Sequence, residues 1–159
     1  WSLTHATKDP NMIYRAEVMA KAISVGMDSP ILGNGYGRDH LRAALEKKHP
    51  EFIAQGFVSH SHNLYTELIA GVGFLGLAMF LSALASAAIQ LIRKLRSREN
   101  SGKERYADLG LLGSLIAFAV AALGDIPFYH HEPRIFFFTL LGLICLRLRS
   151  NTVNRSDPS

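Results

Sequence analysis

His62 and Asn63 stand at the head of a long apolar run, within the stretch SHSHNLYTELIAGVGFLG that begins at residue 59. A histidine with an ordinary pKa of about 6.5 can accept a proton at neutral pH. At the rim of a bilayer, His62 could therefore deprotonate a sugar hydroxyl and prepare it for attack. The structural alternative is that His62 orients the helix beginning at Leu64, with Asn63 as its N-cap. Upstream, Arg15 and Arg38 offer the fixed charge and planar fork that suit phosphate or pyrophosphate, although an arginine on an amphipathic helix is otherwise simply solvated. His60 shares a face with His62 on an extended chain, and His130, His131 and Glu132 could complete a metal shell. The spacing matches no strong zinc signature, and adjacent histidines in outer loops are more often interfacial, so no cofactor is assigned and a metal site stays the lesser reading. Glu67 and Asp125, near the ends of apolar runs, read as relay carboxylates or as interfacial charges.

The chain has 159 residues, a net charge of +4 and a pI near 9.4. That length suits one ordinary domain. Because it starts at Trp1 rather than Met and with polar residues, the chain is expected to be a piece of a longer protein, and its first residues do not resemble a signal peptide. The basic residues cluster between Arg93 and Arg105, between two apolar runs, which points to membrane topology and away from nucleic acid. With Cys145 as the only cysteine, no internal disulfide or CxxC metal site can form.

The elements that must position these residues fall into two regions. Residues 1–63 read as a water-exposed region of short amphipathic helices. Asp9 and Pro10 supply a cap and a first-turn proline, and Asn11 to Val25 follows as a helix with Ile13, Ala16, Met19, Ala20 and Ile23 on its apolar stripe and a Glu17–Lys21 pair. Asp28 to Gly37 is a turn-rich loop whose glycines at 33, 35 and 37 do not make the GxGxxG fingerprint. Arg38 to Lys48 is a second helix, stopped by Pro50. The region 64–148 reads as three membrane spans at about 64–92, 109–128 and 133–148, the last run being short and helped by snorkelling of Arg147 and Arg149. Gly71, Gly73 and Gly76 would admit a neighbouring helix, and Gly73 a bend. Residues 149–159 read as a disordered tail. The positive-inside rule puts the basic loop and this tail in the cytoplasm, and His60, His62, His130, His131, Arg15 and Arg38 together on the outer side.

His62-Asn63, nine residues, Gly73 and Gly76 together resemble the H-N-x9-G-x-x-G pattern of the O-antigen ligase and Wzy-type polymerase superfamily of bacterial envelope proteins. The upstream order agrees: an arginine on an outer helix (YRAEVMAKA, Arg15), then a Pro-apolar-Gly-x-Gly turn (SPILGNGYG), then the His-Asn element. The similarity covers roughly Tyr14 to Leu77. It implies an all-α, multi-pass inner-membrane glycosyltransferase that moves a glycan from an undecaprenyl-diphosphate carrier to a periplasmic acceptor, such as lipid A-core in a ligase or a growing glycan in a polymerase. By the same resemblance His62 is the base, Arg15 holds the diphosphate and no metal takes part; Asn63, Arg38 and His60 are expected, from their own types and places in the chain, to contact substrate. The family uses about a dozen spans, so this chain would hold only the C-terminal part and be inactive alone. The competing class is a non-enzymatic membrane transport or assembly protein, for which polar residues in mid-span would be expected.

Overall fold

The computed structural model describes residues 9–54, 56, 60–97 and 102–153, and among them every regular element is helical. The order is α1 (Pro10–Gly26), α2 (Arg38–Lys48), α3 (Pro50–Ile53), α4 (Leu64–Arg96), α5 (Lys103–Ala121), a 3-10 turn (Pro127–Tyr129) and α6 (His131–Val153). The irregular start before Asp9, Ser59, the middle of the basic loop with Arg98 and Glu99, and the tail from residue 154 lie outside the described residues. The chain divides into two compact units. The first comprises the residues up to Met79 together with Ala122–Ile126, and the second Phe80–Ala121 with the residues from Pro127 onward.

In the first unit, α1 begins as expected: Asp9 Oδ1 accepts from the Asn11 amide at 2.9 Å and Pro10 occupies the first turn. Its buried face is not the expected one. Tyr14, Val18, Ala22 and Val25 turn inward against Leu41, Leu45, Phe52 and Ala70, while Ile13, Ala16, Ala20 and Ile23 are exposed. Both faces of α1 carry apolar residues at helical spacing, so periodicity cannot choose between them; the partners on α2 and α3 do. Lys21 pairs with Glu51 at 3.8 Å rather than with Glu17 as its expected helical partner. Lys48 ties the end of α2 to the end of α1, donating to the Ser24 carbonyl at 2.7 Å and to Asp28 at 2.6 Å.

The span expected over 64–92 is not one regular helix. At Gly73 the backbone leaves helical geometry (φ 68°, ψ −173°) and α4 breaks. The Ser29–Gly37 loop fills the break. The Phe74 and Leu75 amides, which would ordinarily bond to the carbonyls of Ala70 and Gly71, donate instead to Pro30 O (2.7 Å) and Ile31 O (3.3 Å). The two vacated carbonyls accept from the amides of Asn34 and Gly35, each at 2.9 Å. The Asn34 side chain adds bonds to Val25 O and Ala70 O. This exchange explains the glycines on both sides. A Cβ at Gly73 would run into the Ile31 carbonyl, and one at Gly33 (φ +72°) into the Gly71 backbone. Gly71 and Gly73 thus admit a loop, not the helix that their spacing suggested.

The second unit carries the remainder of α4 with α5 and α6. Phe80, Phe118, Phe128 and Phe137 form one cluster of edge-on and tilted rings in which Phe118 and Phe137 stack, 4.4 Å between ring centres. Away from the aromatics, Asp108 is fully buried and accepts from Arg147 Nε at 2.8 Å, with Lys94 at 3.8 Å. Lys94 also donates to the Arg147 carbonyl at 3.0 Å. Arg147 therefore turns inward to a carboxylate, where snorkelling was expected, and Lys94 leaves the exposed basic cluster. The helices differ from the expected spans: α5 starts at Lys103 and stops at Ala121, and α6 runs on to Val153, so the expected tail opens as helix. Of the three expected spans, α4 alone among the described helices is long and apolar enough to cross a membrane by length and composition. Charge is the reason, since α5 opens on Lys103, Glu104 and Arg105, and the apolar run of α6 is confined between Arg134 and Arg147.

Candidate functional site

The turn that carries His62 is held from both sides. Asn63 is the N-cap of α4: its Oδ1 accepts from the Tyr65 amide at 2.9 Å and the Thr66 amide at 3.1 Å, which satisfies two of the helix's orphan donors. Its Nδ2 donates to the Leu123 carbonyl at 2.9 Å, and the Leu64 amide bonds Ala122 O at 2.9 Å. One turn into α4, Glu67 is 2% exposed and reaches back to accept the Ser61 amide at 2.9 Å. The Ser61 and Thr66 hydroxyls close on the Asn63 carbonyl. Between these anchors His62 takes φ 57°, the left-handed region that a side chain enters only at some cost. The turn is over-determined by its neighbours.

His62 and Arg15 line the same open cleft of about 570 Å³, with Asp9, Asn11, Met12 and Tyr14 of the α1 start. Arg15 reaches the Gly124 carbonyl at 3.4 Å, so the segment after α5 backs the arginine as well as the cap. His60 lies beside His62 with ring centres 4.1 Å apart, and its Nε2 is 3.8 Å from Asp125 Oδ1. Burial, and then the Arg15 charge, lower the pKa of His62 below the ordinary histidine value, against the opposing pull of Asp125. The imidazole is therefore neutral at pH 7, with one ring nitrogen free of a proton. Burial, followed by the Glu17 charge, raises the Tyr14 phenol, so the hydroxyl in the cleft stays protonated.

The sequence-expected residues divide accordingly. Arg15, His60 and His62 come together. Asn63 is adjacent, with its amide committed to the cap and to Leu123. Arg38 opens α2 and is not among the residues lining the cleft. His130 and His131 belong to the second unit, and His131 Nδ1 is 2.7 Å from Arg134. A possible metal group among the described residues is instead His60, His62 and Asp125, whose ligand atoms lie within 4.8 Å of one another. A tetrahedral ion holding nitrogen at about 2.0–2.1 Å would draw its ligands to about 3.4 Å apart. This trio is looser than such a shell. Sequence reasoning missed the cleft's Asp9, Asn11 and Tyr14 and left Glu67 undecided. The spacing of Ser61, Asn63 and Glu67 around a helix start, a shifted form of the capping box, was the available signal.

A family model described as O-antigen ligase matches residues 2–81. The chain belongs to the O-antigen ligase family. The matched range takes in every member of the cleft, the loop at Pro30 to Gly37 and the break at Gly73, and stops just after the first unit's part of α4. Members of this family are membrane-associated ligases and polymerases of the glycosyltransferase type. No curated protein and no solved structure matches the chain. The second unit holds another groove of similar size, lined by Ala107, Gly110, Leu111, Leu143, Leu146 and Arg147. It is apolar apart from an arginine already bound to Asp108, and offers no reactive group.

Proposed function

We propose that this chain is the C-terminal part of an O-antigen ligase-like glycosyltransferase, moving a glycan from an undecaprenyl-diphosphate carrier to an acceptor such as lipid A-core at the periplasmic face of the inner membrane. The observation that carries the reading is that Arg15 and His62, from elements far apart in sequence, line one open cleft. His62, neutral at pH 7, takes the proton from the incoming acceptor hydroxyl. The oxygen attacks the anomeric carbon, the bond from that carbon to the carrier phosphate breaks, and the diphosphate leaves with the electron pair. Arg15 holds the diphosphate and offsets its charge, so that the protein mainly positions and neutralises. His60, paired with Asp125, supports the His62 ring and contacts substrate. Asn63 and Glu67 act by fixing the turn. Arg38 has no role in this reading.

In this reading α4 crosses the membrane, and α5 and α6, too charged at their ends to pass as spans by length and composition alone, complete the crossings with those charges at the interfaces, the cleft lying outside and the end of α6 in the cytoplasm. The basic loop around Arg93 to Arg105 supports that orientation. In the full-length protein, His62→Ala is expected to lower glycan transfer by about 10²–10⁴-fold, the usual contribution of a general base. Arg15→Ala is expected to abolish detectable surface glycan attachment, with the amount of protein in the membrane unchanged for both. Wild-type transfer by both variants would refute the assignment.

A further inference from the structure

The turn that presents His62 also brings together a donor set that glycan transfer does not use as a set. His60 and His62 flank Ser61, which is fully buried; Glu67 accepts its amide and the Asn63 carbonyl its hydroxyl, both at 2.9 Å. With Ser61 held between them, the two imidazoles lie side by side, their ring centres 4.1 Å apart. Asp125 comes from the segment after α5. That segment is fastened to the head of α4 by the bonds from Asn63 Nδ2 to Leu123 O and from the Leu64 amide to Ala122 O, both 2.9 Å. The amide of the fully buried Ile126 donates to Asp125 Oδ1 at 2.7 Å and so orients the carboxylate. All three residues belong to the first unit.

Two imidazoles and a carboxylate suit a zinc-type ion, since nitrogen donors favour zinc, copper and nickel, whereas magnesium and calcium take oxygen. The ligand atoms lie within 4.8 Å of one another, and His60 Nε2 is already 3.8 Å from Asp125 Oδ1. Tetrahedral ligands stand about 3.4 Å apart, so no pair has more than about 1.4 Å to close. Small torsions within a rotamer well supply that movement. His62 is half-buried and Asp125 exposed, and among the described residues no hydrogen bond ties the His62 ring. Arg15, which shares the cleft with His62, opposes a second positive charge there, and the Asp9 and Asp125 carboxylates offset it. A shell that must first close, beside an arginine, holds an exchangeable ion and not a permanent one. A neutral imidazole has a single nitrogen lone pair for accepting, and an ion that takes it leaves none for a proton. We propose that His60, His62 and Asp125 form an inhibitory site for a zinc-type divalent cation, which silences glycan transfer by occupying the lone pair with which His62 would take the acceptor proton. The silencing rests on the reading of His62 as general base; the site itself does not.

Cobalt(II), whose tetrahedral complexes absorb visible light, tests the site without reference to activity, in the full-length protein purified without a polyhistidine tag. The expected result is one equivalent of cobalt bound with a tetrahedral visible band that zinc displaces. Binding should weaken at least about tenfold in His60→Gln and in Asp125→Asn, and stay unchanged in His131→Ala, whose histidine lies in the second unit. Asp125→Asn retains an oxygen for the Ile126 amide and carries the comparison if His60→Gln fails to fold. No band, or a band as strong in both variants as in the wild type, overturns the proposal. Wild-type transfer should fall in proportion to the zinc bound and return when a chelator removes it. Transfer that saturating zinc leaves unchanged or raises, while His62→Ala is inactive, overturns the silencing. Full transfer by His62→Ala instead removes the general-base reading and the silencing with it, an outcome the cobalt titration does not depend on.

Discussion

Gly73→Ala probes the element on which the first unit turns. If the break persists, alanine must adopt φ 68°, ψ −173°, a region open almost only to glycine and costing of order 1–3 kcal/mol. Its Cβ must also displace the Ile31 carbonyl. If the helix straightens, the Phe74 and Leu75 amides recover their bonds to Ala70 and Gly71. The four backbone bonds between helix and loop are then lost, a net deficit of two at about 0.5–1.5 kcal/mol each. The better helix propensity of alanine returns only about 1 kcal/mol. The first route ends near 2 kcal/mol of destabilisation and the second near 1 kcal/mol, which corresponds to a fall of roughly 2–8 °C in the thermal midpoint for a chain of this size. The assay is thermal unfolding in detergent micelles of Gly73→Ala, Gly33→Ala and the double variant, with Gly110→Ala, where a Cβ meets open space, as the control. Because both glycines serve one docking, the double variant should fall well short of the sum of the singles. Wild-type stability of Gly73→Ala, or full additivity, would refute the exchange of hydrogen bonds as the reason for these glycines.

The charges around His62 make a prediction of opposite signs. Arg15 lowers the imidazole pKa and Asp125 raises it. Arg15→Gln should therefore move the onset of His62 protonation to higher pH, and Asp125→Asn to lower pH. The pH dependence of His62 modification by an imidazole-directed acylating reagent reads this without relying on activity, and for Asp125→Asn the acidic limb of glycan transfer should move to lower pH as well; shifts of equal sign would refute the electrostatic account. In the second unit, Asp108→Ala leaves Arg147 and Lys94 without their buried carboxylate. A loss of about 3–5 kcal/mol is expected in denaturation, as when one partner of a buried ion pair is removed. A change within about 0.5 kcal/mol, typical of a surface site, would show that the group is solvated.

The sequence by itself determined the local elements wherever local chemistry decides them. Asp9 with Pro10 starts α1, Pro50 ends α2, and the apolar composition of residues 64 to 92 produces a long helix. The order of Arg15, the Pro-Gly turn, His62-Asn63 and Gly73 was legible as a family pattern because it is a pattern along the chain, and the family match bears out that membership. Which face of α1 is buried was not legible, since both faces are apolar and only the packing of Leu41, Leu45 and Phe52 selects Val18 over Ile13. Nor was the meaning of Gly73. A glycine in an apolar helix reads the same whether it admits a helix or is the point where the helix stops. The difference lies in amides and carbonyls from residues 30 to 35, which periodicity does not see. The charges divided in the same way: Lys94 and Arg147 count toward a basic cytoplasmic side in sequence, yet the fold turns both onto Asp108. The site itself was half visible, its histidine and arginine being readable as types. Their meeting in one cleft required the tertiary structure, because α1 and the start of α4 are brought together through Gly26 against Ile69 and through the segment around Gly124, contacts that no local spacing encodes.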